Sequence, residues 1–503
     1  MVRARRDAAP SQHRALVPVL VFLGMVVAVV SSLGAPLIPT IALEHHVSLT
    51  DAQWSLTITL LVGALATPTM GRLGDGPHRR RVILGALAAV VIGSMLAALP
   101  LGFKALLVGR ALQGMGLGLT PLAMATARDA LPAARSRPTI ALLSITTVAG
   151  VGLGYPITGL ITQQLGVHAG FWFGAIVSGA AFAAAAAVLP PTSVRAGQKF
   201  DIVSALLLGT ALAGLLLALS EAERWGWASS RLVAVAATSL VLAAAWVAHE
   251  LHTPHPLVDL RLIRNRSVLT ADATALLAGV GMYLLLATVV RFVQTPVSAG
   301  YGFGSSVVVA GLVLLPFSAA SVAASRAAPF IAKRTSAELV LPIGCVIFLV
   351  AMLTFAYART SLWQAFVTMA IAGLGVGCTF AAMPALIVRA VPVHETGSAM
   401  SFNQVLRYIG YSSGSALSAT VLEAHTPAGA LLPAGSGYDA IAVVGCAVWA
   451  ISAVVSFALP RQRAAAPVDE VLAEESVADA VPYDDEPGAN ARRPSAPRID
   501  ERR

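Results

Sequence analysis

Long stretches without a single charged side chain set the first limit on this chain. Val82 to Leu99 and Ser204 to Leu219 contain no Asp, Glu, Lys or Arg, and comparable apolar runs recur along most of the sequence. A helix needs about 20 mainly apolar residues to cross a hydrocarbon core roughly 30 Å thick, whereas a spanning strand needs only about ten. Backbone amides in lipid must be paired within the spanning structure itself, so runs of this length read as helices. The chain is therefore an all-α integral membrane protein by expectation. Composition agrees: 57% of the 503 residues are hydrophobic and 12% are charged, against roughly 25% charged in soluble domains.

Fourteen spans are expected, at about 17–39, 52–70, 82–100, 103–126, 139–162, 168–190, 202–220, 231–248, 268–290, 305–325, 338–357, 361–387, 397–421 and 438–459. Basic residues alternate sharply between the connections. One side collects 22 Lys and Arg, while the other has five: Lys104, Arg224, Arg231, Arg291 and Arg359. The positive-inside rule makes the arginine-rich side cytoplasmic, and an even number of spans places both termini there. The formal charge of +9 then has the anionic lipid headgroups as its partner, and no nucleic acid is implied. The basic start with Arg3, Arg5, Arg6 and Arg14 resembles a signal peptide. The long apolar run after it, followed by many more, argues for a retained span. Cys345, Cys378 and Cys446 lie far apart in apolar spans and read as buried small hydrophobes, with no metal-ligand spacing. From Pro460 the composition changes to VDEVLAEESVADAVPYDDEP and then RRPSAPRIDERR. It reads as a disordered, solvated cytoplasmic tail, with a regulatory or partner-binding role as the alternative.

Three polar interruptions carry the functional reading. Residues 71–82, GRLGDGPHRRRV, form the turn between spans two and three. Gly71 and Gly74 allow close helix approach, Asp75 can accept hydrogen bonds or sit near the positive N-terminus of a neighbouring helix as a gate residue, and Arg79, Arg80 and Arg81 are expected to face the inner leaflet. In span four, LLVGRALQGMGLG places Arg110 at mid-span. An arginine there costs about 2.5–3.5 kcal/mol on insertion scales unless it faces a polar interior. Arg110 is either a functional residue or a lock that hydrogen-bonds neighbouring carbonyls. In span five, GVGLGYPITGL concentrates Gly150, Gly152, Gly154, Pro156 and Gly159. It can act as a hinge or simply as a close-packing surface. The glycine runs lie inside apolar helices with no preceding strand, so they are not dinucleotide-binding loops.

The loop resembles the signature of the major facilitator superfamily, Gly-x-x-x-Asp-basic-x-Gly-basic-basic. Gly71, Asp75, Arg79 and Arg80 fall on its positions, whereas Gly76 and His78 depart from it. Arg110, Gln113 and Gly114 match the Arg-x-x-Gln-Gly pattern of that family's fourth helix. Gly150, Gly154, Pro156 and Gly159 are similar to the helix-five signature of its antiporters, with Tyr155 and Leu160 as departures. The span count resembles the fourteen-span drug:proton antiporters over residues 17–459. This resemblance implies a cytoplasmic N-terminal segment (1–16), two six-helix halves (17–190 and 268–459), an inserted helix pair with linker (191–267), and the tail (460–503). The second half's counterpart of the loop, SRAAPFIAKRTS, has no aspartate.

The resemblance further implies secondary active transport by alternating access. The leading reading is proton-coupled efflux of hydrophobic or cationic small molecules from the cell across the plasma membrane, by a monomer powered by the proton gradient. Transport of a specific metabolite by the same fold is the alternative, and a non-transporting scaffold the third reading. No GxxxxGK[ST] loop is present for a nucleotide, and an enzyme, a cofactor and a metal site are not expected. Antiporters of this type often carry a carboxylate in helix one, but here VVSSLGAPLIPT has only Ser31 and Ser32. Asp272 in span nine is the best remaining intramembrane acid, with Arg110 or Arg407 as its expected partner. Asp272 can also be read as a helix-end residue, and Arg407 as structural. Asn403, Gln404, Tyr408 and Tyr283 are candidates for the substrate path. Asp129 is expected to pair with the opening loop.

Overall fold

Small residues decide how closely the helices approach. A Cβ on Gly410 would fall 2.4 Å from the carbonyl oxygen of Leu276, and one on Gly414 would fall 2.2 Å from that of Val280. Two backbones can meet this tightly only where side chains are absent, the usual device of helix association in lipid. That crossing joins α11 (Arg266–Gln294) to α16 (Thr396–Ala424).

The computed structural model describes residues 10–457, apart from 34–36, 48, 191–200, 227, 255, 259, 393–394 and 428–431. The expected tail therefore lies outside the described residues. The remaining elements are α1 (Pro10–Ser32), α2 (Ile38–Glu44), α3 (Leu49–Asp75), α4 (Arg79–Ala98), α5 (Phe103–Gly114), α6 (Leu119–Ala130), α7 (Ala133–Leu165), α8 (Val167–Val188), α9 (Ile202–Trp225), α10 (Ser230–His252), α12 (Val307–Leu312), α13 (Leu314–Arg334), α14 (Val340–Tyr357), α15 (Leu362–Ala390) and α17 (Gly435–Phe457). No strand occurs among the described residues.

Each of the fourteen expected spans falls on a helical rod, the first only as far as Ser32, with α5 and α6 joined through a 3-10 turn at Met115–Gly118, and α12 and α13 joined at Val313. Among the described residues, ten helices are long and apolar enough to cross a membrane by length and composition. The other rods are α1, α5 with α6, α7 and α16. The last three bring Arg110, Gln113, Ser144 and Arg407 into the interior.

α1 packs on α6, α7 and α8, and α4 on α5 and α8, while α11 packs on α15, α16 and α17. α13 packs on α15 and α7, and α3 reaches α16. α9 and α10 pair with each other, and α9 leans on both α3 and α16. The buried Glu250 ties this pair together, accepting from the Trp246 indole at 2.9 Å, the Leu257 amide at 3.0 Å and the Ser204 hydroxyl. Deep in the bundle Trp449 stacks on Phe348 with ring centroids 4.1 Å apart. Cys345 and Cys378 are buried and Cys446 is half-buried; all three are free thiols.

Gly410→Ala is expected to destabilise the detergent-solubilised protein by about 1–3 kcal/mol, because the added methyl overpacks a backbone contact. Gly85→Ala, where a Cβ meets nothing within 4 Å, should be neutral or stabilising. Thermal unfolding of the two variants checks the difference.

Candidate functional site

Asp75 ends α3 and is 6% exposed. Its carboxylate accepts the backbone N–H of Gly397 at 2.6 Å and of Ser398 at 2.8 Å, and also the Ser398 hydroxyl. Those amides belong to the first turn of α16, whose own N-cap residue, Glu395, makes no capping side-chain bond. The first amides of any helix lack intrahelical partners, and the N-terminus carries partial positive charge. Asp75 thus caps α16 from another helix, the role anticipated for it. Glycine is required on both sides of the crossing. A Cβ on Gly397 would lie 2.5 Å from Asp75 Oδ1, and one on Gly71 would lie 2.1 Å from Ser401 Oγ.

The opposite end of the same turn is held by Arg128. Its Nη2 donates to the carbonyls of Val388 at 2.6 Å and Val391 at 2.7 Å, and its Nη1 to Thr396 Oγ1 at 2.5 Å and the Pro392 carbonyl at 3.2 Å. The carbonyls at the C-terminus of α15 are orphaned and partially negative, so a guanidinium is the complementary charge. One turn is therefore gripped by an anion on its amide end and a cation on its carbonyl end.

Arg79 corrects an expectation. Instead of facing the leaflet it is 3% exposed, with Nη1 at 3.5 Å from Asp129, Nε donating to the Gly74 carbonyl at 2.6 Å and Nη1 to that of Ala125 at 3.3 Å. Bending back to its own turn gives the guanidinium an acid and two carbonyls that the leaflet would not supply in fixed geometry. Asp129 does pair with the opening loop, as expected. Arg80 and Arg81 are exposed, and Arg80 Nη2 also donates to the Ala186 carbonyl at 2.7 Å, in the last turn of α8. Gly76 and His78 make none of these contacts.

Arg110 has no exposed surface. Its Nε donates to the Ser55 carbonyl at 3.0 Å on α3, and its Nη1 to the Val30 carbonyl at 3.2 Å on α1 and to Gln113 Oε1 at 2.6 Å. Gln113 passes the network to Ser94 Oγ on α4 at 2.9 Å, and Gly114 lets α5 approach α3, since a Cβ there would sit 2.5 Å from the Thr59 carbonyl. This is the geometry of the carbonyl lock, with one difference: Nη2 has no hydrogen-bond partner among the described residues. The expected pairing with Asp272 is not formed, because Arg110 is committed to α1 and α3.

Asp272 is buried among neighbouring helices, not displayed at a helix end. Asn403 Nδ2 donates to its Oδ1 at 2.9 Å, and Asn403 Oδ1 accepts from Arg407 Nη2 at 3.0 Å. Arg407 continues to α7, donating from Nη2 to Ser144 Oγ at 2.9 Å, while its Cζ lies 4.4 Å from the centroid of Phe380. Of the expected path residues, Asn403 belongs to this chain and Gln404 is buried beside it. The Tyr408 hydroxyl donates to the Leu117 carbonyl at 3.4 Å, and Tyr283 stacks on Tyr411 at 4.7 Å.

α7 runs unbroken through Pro138 and Pro156. A Cβ on Gly150 would fall 2.0 Å from that of Ala28, so this glycine sets the approach of α1. Gly154 is buried and its carbonyl accepts the Thr158 hydroxyl at 2.7 Å. Pro156 lies against Gly311 of α12, whereas Gly159 faces open space. The side chains of Ser31, Ser32 and Tyr155, and the packing of Gly152, lie outside the described residues. No cluster of three or more His, Cys, Asp or Glu is placed to hold a metal among the described residues. Sequence reading missed the reach of Arg128, the role of Ser144 and the buried Glu250. An arginine next to an acid at a span end was the available sign of the first; Ser144 and Glu250 had none.

Comparison with known proteins follows the same lines. Residues 20–415 match the family model described as Major Facilitator Superfamily. The chain is 31% identical over 385 residues to the multidrug resistance protein B homolog of Mycobacterium tuberculosis, covering 73% of this chain and 68% of that protein. It is 26% identical over 402 residues to the tetracenomycin C resistance and export protein of Streptomyces glaucescens, covering 78% of this chain and 73% of that protein. In fold it is similar to the human organic anion transporter MFSD10 (TETRAN), with a TM-score of 0.63 at 16% identity over 88% of this chain and 99% of that one. With its loop, helix-four and helix-five motifs set in an all-helical bundle of this kind, the chain belongs to the major facilitator superfamily.

Proposed function

We propose that the protein is a proton-coupled exporter of hydrophobic or cationic small molecules, working by alternating access in the plasma membrane. The carrying observation is the two-ended grip on the α15–α16 turn by Asp75 and Arg128. Both grips come from helices of residues 17–190 and close on helices of residues 268–459, the two proposed halves. The inserted pair lies between them in sequence, and the monomer is the working unit. Relatives named for drug resistance and export support the direction of transport. The distribution of Lys and Arg supports a cytoplasmic side for this turn and for both termini.

The grip has the right size for a gate. Hydrogen bonds to charged groups contribute about 1.5–3 kcal/mol each, and moving a two-state equilibrium from 1:99 to 99:1 takes about 5.5 kcal/mol. A few such bonds therefore hold the cytoplasmic side shut while leaving it within reach of substrate and proton binding. The glycine-rich α7 is the element that flexes between the two states, and Asp272 is the proton-carrying group. Arg110 fixes α1, α3 and α5 as one body through which that motion is delivered.

Asp75→Asn and Arg128→Ala should each weaken the closed gate by about 1.5–3 kcal/mol. Expected results are an efflux rate at least tenfold lower and faster labelling of a cysteine introduced at the α15–α16 turn from the cytoplasmic side. Unchanged labelling in both variants would remove the gate. Reconstituted protein should move ethidium only under an imposed pH gradient, and Arg110→Ala should abolish that transport; equal movement without any ion gradient would sink the antiport reading.

A further inference from the structure

Asp272 and Arg407 are opposite charges buried in one bundle, yet they are joined through Asn403 and not by direct contact. A primary amide suits that place because it donates through Nδ2 to a carboxylate while accepting through Oδ1 from a guanidinium. Beyond Asn403 the chain leaves α16 altogether, since Arg407 donates to both the hydroxyl and the carbonyl of Ser144 on α7. Three helices are thereby placed in series: α11 with the acid, α16 with the amide and the cation, and α7 with the final acceptor.

We propose that Asn403 is a positioning residue that couples proton binding at Asp272 to the grip of α16 on α7, with Arg407 and Ser144 as the output. The proposal rests on the reading of Asp272 as the proton-carrying group. When Asp272 is ionised, its charge offsets that of Arg407 through the intervening amide. Binding one proton to a carboxylate oxygen adds one positive charge and breaks no covalent bond. Asn403 then donates to a neutral acid, and Arg407, which stays protonated in any protein environment, is left as an uncompensated buried cation. Such a cation is strongly destabilising. Relief comes from moving the guanidinium toward water, and this breaks both bonds to Ser144. Release of the proton restores the chain.

The surroundings of Asp272 are simple enough for this to dominate. On α16 Arg407 has Tyr408 and Tyr411 beside it, and Glu423 lies at the far end of the helix; on α11 itself Tyr283 stacks on Tyr411, and Arg266 and Arg291 stand at the two ends. α12, α15, α17 and the 3-10 turn Leu260–Arg264 also pack near α11; they bring Arg389 on α15, Tyr438 and Asp439 on α17, and Arg261 and Arg264 on the turn, and among the described residues none of these hydrogen-bonds to Asp272. The receiving helix is the one that carries Gly150 against α1 and Pro156 against α12. A change at Ser144 therefore enters the helix proposed to flex.

The test needs no substrate. Full-length protein in lipid nanodiscs is titrated with two readouts: the infrared band of a protonated carboxyl, assigned by its loss in Asp272→Asn, and deuterium uptake of α7 peptides covering 139–150, corrected for intrinsic pH dependence. In the wild type, uptake should rise about tenfold as the band appears, the scale of one lost charge-assisted hydrogen bond. Asn403→Leu should keep the band while making uptake independent of pH. Ser144→Ala should likewise give pH-independent uptake. Asn403→Ser, whose short hydroxyl cannot reach both partners, replaces the leucine variant if that one is not monodisperse. Wild-type pH dependence of uptake in these variants, or constant uptake in the wild type while the band titrates, would overturn the role of Asn403. A band that never appears, or that survives Asp272→Asn, would instead remove Asp272 as the proton carrier.

Discussion

A helix in lipid satisfies its own backbone everywhere except at its two ends, and this chain places its charged side chains where those ends have to be completed. Asp75 supplies the acceptor for the first amides of α16. Arg128 supplies donors for the last carbonyls of α15, and Arg80 does the same for α8. These contacts use the partial charges of helix termini, which fade within a turn. They are therefore strong only while the helices stay in register. A link that is lost after a small displacement is suited to a gate, because it is either made or absent.

Inside the bundle the same scarcity of water governs a different problem. Arg110 and Arg407 are both fully enclosed, and neither touches a carboxylate. Each is stabilised by backbone carbonyls, hydroxyls and amides drawn from several helices, so each acts as a fastener whose removal would leave polar groups facing hydrocarbon. They differ in what they fasten. Arg110 joins α1, α3 and its own helix, whereas Arg407 reaches from α16 to α7. In the proposed alternating access the first stays fixed within one half and the second crosses the surface between the two proposed halves.

Close backbone approaches make these polar contacts possible. Gly71 against Gly397 allows Asp75 to reach the α16 terminus, and Gly410 with Gly414 brings α11 near enough for Asp272 to meet Asn403. Packing and electrostatics are therefore not separable here: enlarging a glycine would move the charges out of hydrogen-bond range before it emptied any of the core. The α9–α10 pair follows the same logic on a smaller scale, with Glu250 gathering a hydroxyl, an indole and backbone amides from both helices and the segment after α10.

The sequence alone determined the class of structure, because apolar runs of helical length have one solution in lipid, and it marked the residues whose charge had to be accommodated. Asp75 near a helix N-terminus and Asp129 beside the opening loop were legible, since each sits next to a turn whose partners are local or few. What only the tertiary structure decided was who meets whom. Arg79 turned inward to Asp129 although its neighbours face out, Arg128 crossed to α15, and Asp272 met Asn403, which links it to Arg407, one of its two expected partners. Ser144 became part of the polar chain with no mark in its surroundings to announce it. The reason is geometric. Helical periodicity gives the face of a residue, but which face opposes it depends on crossing angles and on the depth of glycine contacts far away in the chain.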